Sequence, residues 1–438
     1  MSAAAHALPQ AAVNAKLVEL TTAAAVFLGV LLSGFVINEP APYELYMAGL
    51  IAVWAMFGLS ISRVSAILLV MLVVLNIGGM IAVTQLPDLK EAPLYIAVSL
   101  FLALTAVFFA AITEARPAFY SLIFTAWTTA ALVTAALGIA GYFGVVPGAE
   151  LFTRYGRATG AFQDPNVFGP FLVLPAIWLL HRLMTGSAAR LPFVCLPLLI
   201  IVGGIFLSFS RGAWGLFAAS ALLLTAALFL QSASGLLRLR IAVMSICAVA
   251  LLAVAIVVAL QIPDVAEIFS ARARLTQDYD VGRLGRFDRF GVGLAVATEH
   301  PLGIGPLRFG ELFGEDTHNV WLKTLLDYGW LGFAAWFTLV ALTLAAGFRI
   351  LLRNRPWQPY LLSAYVVFAG HVALGTIIDT DHWRHLYLLL GLIWGAVGLE
   401  YRHQRNLSQG LPLQSVTQRR NLVDPPRHMA IQSVRFGA

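Results

Sequence analysis

Apolar runs of about 20 residues recur from one end of this 438-residue chain to the other. Each is long enough to cross ~30 Å of hydrocarbon as a helix, which satisfies its own backbone polar groups where no water can. Composition agrees: 60% of the residues are hydrophobic and only 11% are charged, unlike a water-soluble domain. The reading is an all-α integral membrane protein with about twelve transmembrane helices, the first near Leu17–Ile37 and the last near His385–Leu399. They form one polytopic membrane domain over residues 1–400. The polar tail, 401–438, lacks helical periodicity and reads as disordered, with some attraction to anionic lipid heads.

The net charge of +6 sits mostly in short links and the tail, where it sets membrane orientation rather than signalling nucleic acid. Links holding Arg63, Arg116, Arg182, Arg238 and Arg349 alternate with others. Placing them inside puts both termini in the cytoplasm. The first apolar run has no basic region beyond Lys16 and no small-residue cleavage site, so it reads as a retained span. Cys195 and Cys247 lie inside apolar runs, which leaves a disulfide framework and thiol chemistry without support.

Arginines on the outer side break the charge rule. Part of the excess lies in residues 263–319, a large helical outer loop between spans nine and ten, and long segments cross regardless of charge. Arg157, Arg211 and Arg384 sit in shorter outer links, where that explanation fails. Guanidinium groups gathered at one face suit an anionic ligand, because their planar fork binds phosphate bidentately.

Five constellations follow, each with a bland alternative. Arg157 precedes a run of small residues and then Asp164-Pro165-Asn166, which also reads as a helix N-cap. Ser210-Arg211-Gly212 forms a tight outer turn, where Arg211 could equally be an interfacial arginine snorkelling to headgroups. From Arg286 to His300 a helix carries Phe287, Phe290, Leu294 and Ala297 as an apolar stripe, with Arg286 and Arg289 on a neighbouring face. Pro301-Leu-Gly-Ile-Gly305 ends it, and a surface-lying amphipathic helix is the alternative. Thr317 reads as an N-cap that starts a helix at His318-Asn319, whose imidazole could deprotonate a sugar hydroxyl or be merely structural. Asp379 and Asp381 beside His382 could hold a divalent metal; salt bridges to outer arginines or sugar contacts through Trp383 fit better. The spans otherwise carry almost no ionisable residue at mid-depth, His371 being the clearest exception, unlike ion-coupled transporters.

Together these motifs resemble the O-antigen ligase superfamily of lipopolysaccharide ligases and polysaccharide polymerases, from Arg157 to about Trp394. The pieces are Gly160-x-Phe162 with Pro165-Asn166, Ser210-Arg211-Gly212, Arg286 with Pro301 to Gly305, and His318-Asn319 with Gly329 and Gly332. Asp327 stands where such sequences often carry glutamate, and Phe290 where tryptophan is common. The resemblance implies a bacterial inner-membrane glycosyltransferase with a periplasmic site; we expect no cofactor or metal, because arginines can neutralise the leaving group. Its donor would be an undecaprenyl-diphosphate-linked glycan, its acceptor a lipid-A core or a growing glycan, and its surroundings membrane lipids. It assigns His318, Arg286 and Arg211 as catalytic. Arg157, Asn166, Arg289, Asn319, His382 and Arg384 join them as expected substrate-binding residues. We expect inverting displacement, with ligation and polymerisation unresolved. The competing readings are an anion or solute transporter and a noncatalytic envelope scaffold.

Overall fold

A computed structural model describes residues 10–57, 60–187, 189, 191–272 and 285–409. The described chain is all-α apart from one two-stranded hairpin, Thr153–Arg154 with Arg157–Ala158. Its first compact unit is Met1–Gly398; the second, Leu399–Ala438, is described only to residue 409 and is helical through Ser408.

The first helices are α1 (Gln10–Leu32), α2 (Pro42–Met56), α3 (Arg63–Val83), α4 (Ala92–Ala115) and α5 (Ala118–Tyr142). Next come α6 (Pro165–Thr185), α7 (Leu191–Leu207), α8 (Arg211–Gln231) and α9 (Gly235–Ala259). Three shorter helices, α10 (Pro263–Arg272), α11 (Arg286–Glu299) and α12 (Arg308–Phe313), then precede α13 (Val320–Leu351), α14 (Gln358–Leu374) and α15 (Arg384–Ser408). Polar side chains start several of them. Ser62 accepts from Ser65 N at 3.1 Å, Asp164 from Asn166 N at 2.7 Å, and Ser210 from Ala213 N at 3.3 Å. These caps satisfy amides that the first helical turn leaves unbonded.

Among the described residues eight helices are long and apolar enough to cross a membrane, which corrects the expectation of about twelve. Four expected spans fall short. Glu44–Ile61 overlaps the 15-residue α2, and Leu191–Phe209 and Tyr360–Ile378 overlap the 17-residue α7 and α14. His385–Leu399 is the apolar part of α15, whose remainder is polar. α2 and α7 fall short by length, whereas in α14 and α15 composition misleads because a helix wrapped by other helices is as apolar as one facing lipid. Leu361, Leu362, Val367 and Phe368 of α14 are buried in protein, as are Leu389, Leu390, Leu392 and Ile393 of α15. The opposite case is α9, with only 6% of its apolar window covered by protein. The large loop therefore lies between the seventh and eighth candidate spans, α9 and α13, rather than between the ninth and tenth.

α13 packs along α3 through small residues. A Cβ on Gly78 would lie 2.5 Å from the Tyr328 carbonyl oxygen and 2.7 Å from Gly332 N, so only glycine permits this approach. At Gly329 (φ 66°, ψ −177°) the helix breaks. The Pro301–Gly305 loop fills the break: Ile304 N donates to Leu326 O at 2.8 Å, and Trp330 N donates to Pro301 O at 3.0 Å. Helix ends that would otherwise be bare at membrane depth thus find partners in a neighbouring loop. The motif expected merely to end a helix also repairs another. Beneath it, Ala297, Ile304, Phe309, Leu325 and Leu326 form a buried cluster. The expected stripe on α11 is accordingly split: Ala297 is buried, while Phe287 and Leu294 are exposed.

Candidate active site

The links after α1, before α4, after α5, between α7 and α8, before α13 and after α14 gather at one end of the bundle. Val36 bridges to Phe162, Arg157 reaches Ser208, Asn319 reaches Thr376, and Tyr95 reaches Asp381. Every site residue expected from the sequence belongs to this end, in separate groups.

The first group is built on the hairpin. Arg157 is 5% exposed, donating through Nε to the Ser208 carbonyl at 2.7 Å and through an Nη to Asn166 Oδ1 at 2.9 Å. It ties the start of α6 to the turn that carries Arg211. Gly160 (φ 53°) lies so close to Thr134 that a Cβ would meet its carbonyl at 2.5 Å, so the small residues serve chain packing. Ser210 caps α8, and Arg211, the first residue of that helix, is partly exposed. Beside them Phe206, Trp214 and Phe269 stack, which seats α10 against the turn.

The second group surrounds His318. The expected N-cap, Thr317, is not the cap: Asn319 is, accepting from Trp321 N at 3.0 Å and Leu322 N at 3.2 Å. Its amide also donates to Thr376 O at 3.0 Å, so both ends of the Asn319 side chain are used by the fold. His318 therefore stands outside the helix, at φ 51°. A non-glycine residue there stores roughly 1–3 kcal/mol of strain, a pattern concentrated at functional sites. Its ring is one-third exposed, with Nδ1 3.6 Å from Asp379 Oδ2 and Nε2 3.9 Å from Glu315 Oε2. Arg289 joins through the same Glu315 oxygen at 2.6 Å. Arg286 opens α11, and its side chain lies outside the described residues. The two groups approach through the end of α14: Leu374 lies beside Gly212, and Gly375 O accepts from Val320 N at 2.8 Å.

The remaining expected residues are engaged by the fold. Arg384 donates to Glu44 through Nε and to Glu39 at 2.9 Å through an Nη. His382 contacts Asp381 at 2.8 Å and the Tyr95 carbonyl at 3.2 Å, and its ring lies 3.9 Å from that of Tyr95. Asp381 is thus paired with His382 and Tyr95 rather than with outer arginines, and Trp383 is buried against His371 and His385. Burial pushes the Asp381 carboxyl up, but His382, Lys323 and Tyr95 outweigh it and hold the group well below the usual carboxylate range. Among the described residues no group of three or more His, Cys, Asp or Glu side chains is arranged to hold a metal ion.

The sequence reading passed over Lys323. Its ammonium is buried, 2.7 Å from Asp316 and 2.9 Å from Asp327, over the Tyr95 ring at 5.4 Å. Through Asp316 it pins the turn that holds His318. Lys323 and Asp327 belong to α13, which begins eight residues before the span expected from Tyr328, and both lie in its first turns rather than at its middle. The spacing i, i+4 was a legible signal. Lys323→Met is expected to leave Asp316 and Asp327 without their cation and to destabilise the fold by about 3–5 kcal/mol. Thermal aggregation in detergent, followed by size-exclusion chromatography, would read this; an unchanged midpoint would contradict it.

Residues 196–337 match the profile described as O-antigen ligase. The resemblance to the O-antigen ligase superfamily is shown over this part of the chain. The matched stretch contains Arg211, Arg286, Arg289, His318 and Asn319; Arg157, Asn166, His382 and Arg384 lie outside it. No curated protein matches the chain. At family level the match links the chain to O-antigen ligase and polymerase activity, and eight candidate spans make it a multi-pass membrane protein.

Proposed function

We propose that the chain is a membrane glycosyltransferase of the inner membrane. It would move an oligosaccharide from an undecaprenyl-diphosphate donor to a sugar hydroxyl at the periplasmic face, with both termini cytoplasmic. The observation that carries this is the placement of His318: strained, partly exposed, beside the Asp379 carboxylate, and within the family match. In the reaction the acceptor oxygen bonds to the donor's anomeric carbon as that carbon's bond to phosphate breaks. The acceptor proton passes to His318, and the diphosphate leaves with the bonding electrons. Attack opposite the leaving group inverts the anomeric centre. Asp379 would orient the imidazole and stabilise its protonated form; their 3.6 Å separation is long for a hydrogen bond but typical of sites that tighten on substrate. Arg211 and Arg286 would stabilise charge developing on the diphosphate, without a metal. Arg157 and Asn166 would hold the Arg211 turn, and Asn319 would present His318, so they position rather than bind.

Deleting the gene and separating envelope glycans on a gel tests the reading. Wild type should restore the pattern and Arg211→Ala should not, at equal membrane abundance. Core plus a single repeat in the deletion would indicate a polymerase, and bare core with lipid-linked polymer a ligase. Glycans unchanged by deletion would overturn the proposal.

A further inference from the structure

Behind the His318–Asp379 pair lies a small cavity between α13 and α14. Val320 and Trp321, which follow His318 and Asn319, form one wall, and Thr380, next to Asp379, forms another. His371 and Trp336 line it too, and they are only 1% and 3% exposed.

Their hydrogen bonding is incomplete in a complementary way. His371 Nδ1 lies 2.9 Å from the Val367 carbonyl, which can only accept, so the ring hydrogen sits on Nδ1 and Nε2 is left as an acceptor. Nε2 has no protein partner. Neither has Trp336 Nε1, which can only donate. A buried polar atom left this way costs about 1–3 kcal/mol, so two on one cavity point to a ligand. The ligand must accept from Trp336 and donate to His371. A carbonyl would leave His371 unbonded, and an ammonium would leave Trp336 unbonded and bury a charge. A hydroxyl does both. Size narrows it further: the space offers ≈ 10 Å³ to the centre of a water molecule, about one such molecule.

We propose that this cavity binds one hydroxyl-bearing molecule of water size, bridging Trp336 Nε1–H and His371 Nε2. It bonds the α13–α14 seam behind the His318–Asp379 pair, adding to the bonds that Tyr365 and Gln358 of α14 donate to the Leu344 and Leu351 carbonyls of α13 at 2.9 and 3.2 Å. The inference does not rest on glycosyl transfer, and it holds if the enzymatic reading fails.

Nuclear magnetic resonance on the full chain in lipid nanodiscs, with 15N-labelled tryptophan, tests it. Trp336 precedes Phe337, and no other tryptophan in the chain precedes a phenylalanine, so paired 13C/15N labelling of that step identifies the residue without any variant having to fold. The expected result is cross-relaxation between bound water and the Trp336 indole hydrogen. It should be lost in His371→Phe, with the indole signal shifted. Replacement of that water contact by a methyl contact on adding methanol would support the same site filled by an alcohol. An indole hydrogen that shows neither contact would establish a dry cavity and overturn the proposal.

Discussion

His318→Ala is expected to abolish the glycan pattern that wild type restores to a deletion strain, with the protein still present at normal abundance. Three features of the structure separate this from a folding defect. The ring is one-third exposed, it makes no bond that caps a helix, and the adjoining cap belongs to Asn319. Removing it also relieves no packing core. What is lost is a proton acceptor for the attacking hydroxyl, an effect of about 10²–10⁴ in rate. Asp379→Asn should follow with a smaller loss, because the orienting contact survives while its charge does not. The comparison is informative because both substitutions leave the α13 cap intact. A His318→Ala chain that restores the full glycan pattern would remove the catalytic role altogether.

Gly329→Val should have the opposite character, with loss of the folded protein rather than of chemistry. At φ 66° an L side chain is strained, and a Cβ would stand 2.8 Å from both the carbonyl carbon and the oxygen of Leu302. The backbone on the other side cannot yield, since Trp330 N is bonded to Pro301 O and Ile304 N to Leu326 O. Strain of roughly 1–2 kcal/mol for the backbone alone, before the collision, consumes much of a typical net stability. Gly215 in α8 provides the control: nothing lies within 4 Å of its would-be Cβ, and Gly215→Ala is expected to be neutral or to stabilise by up to about 1 kcal/mol. Fluorescence-detected size-exclusion of tagged variants would show the first aggregated and the second monodisperse. Equal behaviour of the two would mean that the loop does not fill the helix break as described.

Local chemistry was legible wherever a residue's partner lies within a few positions. The Asp164 cap and the helix from Arg286 to its stop before Pro301 both follow from short-range backbone requirements. The resemblance carried by Arg211, Arg286, Pro301–Gly305 and His318 was readable for the same reason, since spacing along the chain preserves it. Misreadings came where distant segments compete. Thr317 and Asn319 are both good caps in sequence, but only Asn319 can also bond Thr376, 57 residues away, and that fixes the helix start.

The sequence alone determined that this chain is a helical membrane protein, because its apolar runs have no other stable form in water or lipid. It also placed the chemistry-bearing residues in the links, where charge can remain hydrated. Only the tertiary structure decided how many helices are long enough to span, since composition does not distinguish a lipid-facing leucine from one buried by a neighbouring helix. Only it turned Lys323, the Asp316 and Asp327 carboxylates and the Pro301–Gly305 loop into the support for His318. A buried charge is tolerated where several elements converge to pair it, and that convergence is a property of the fold.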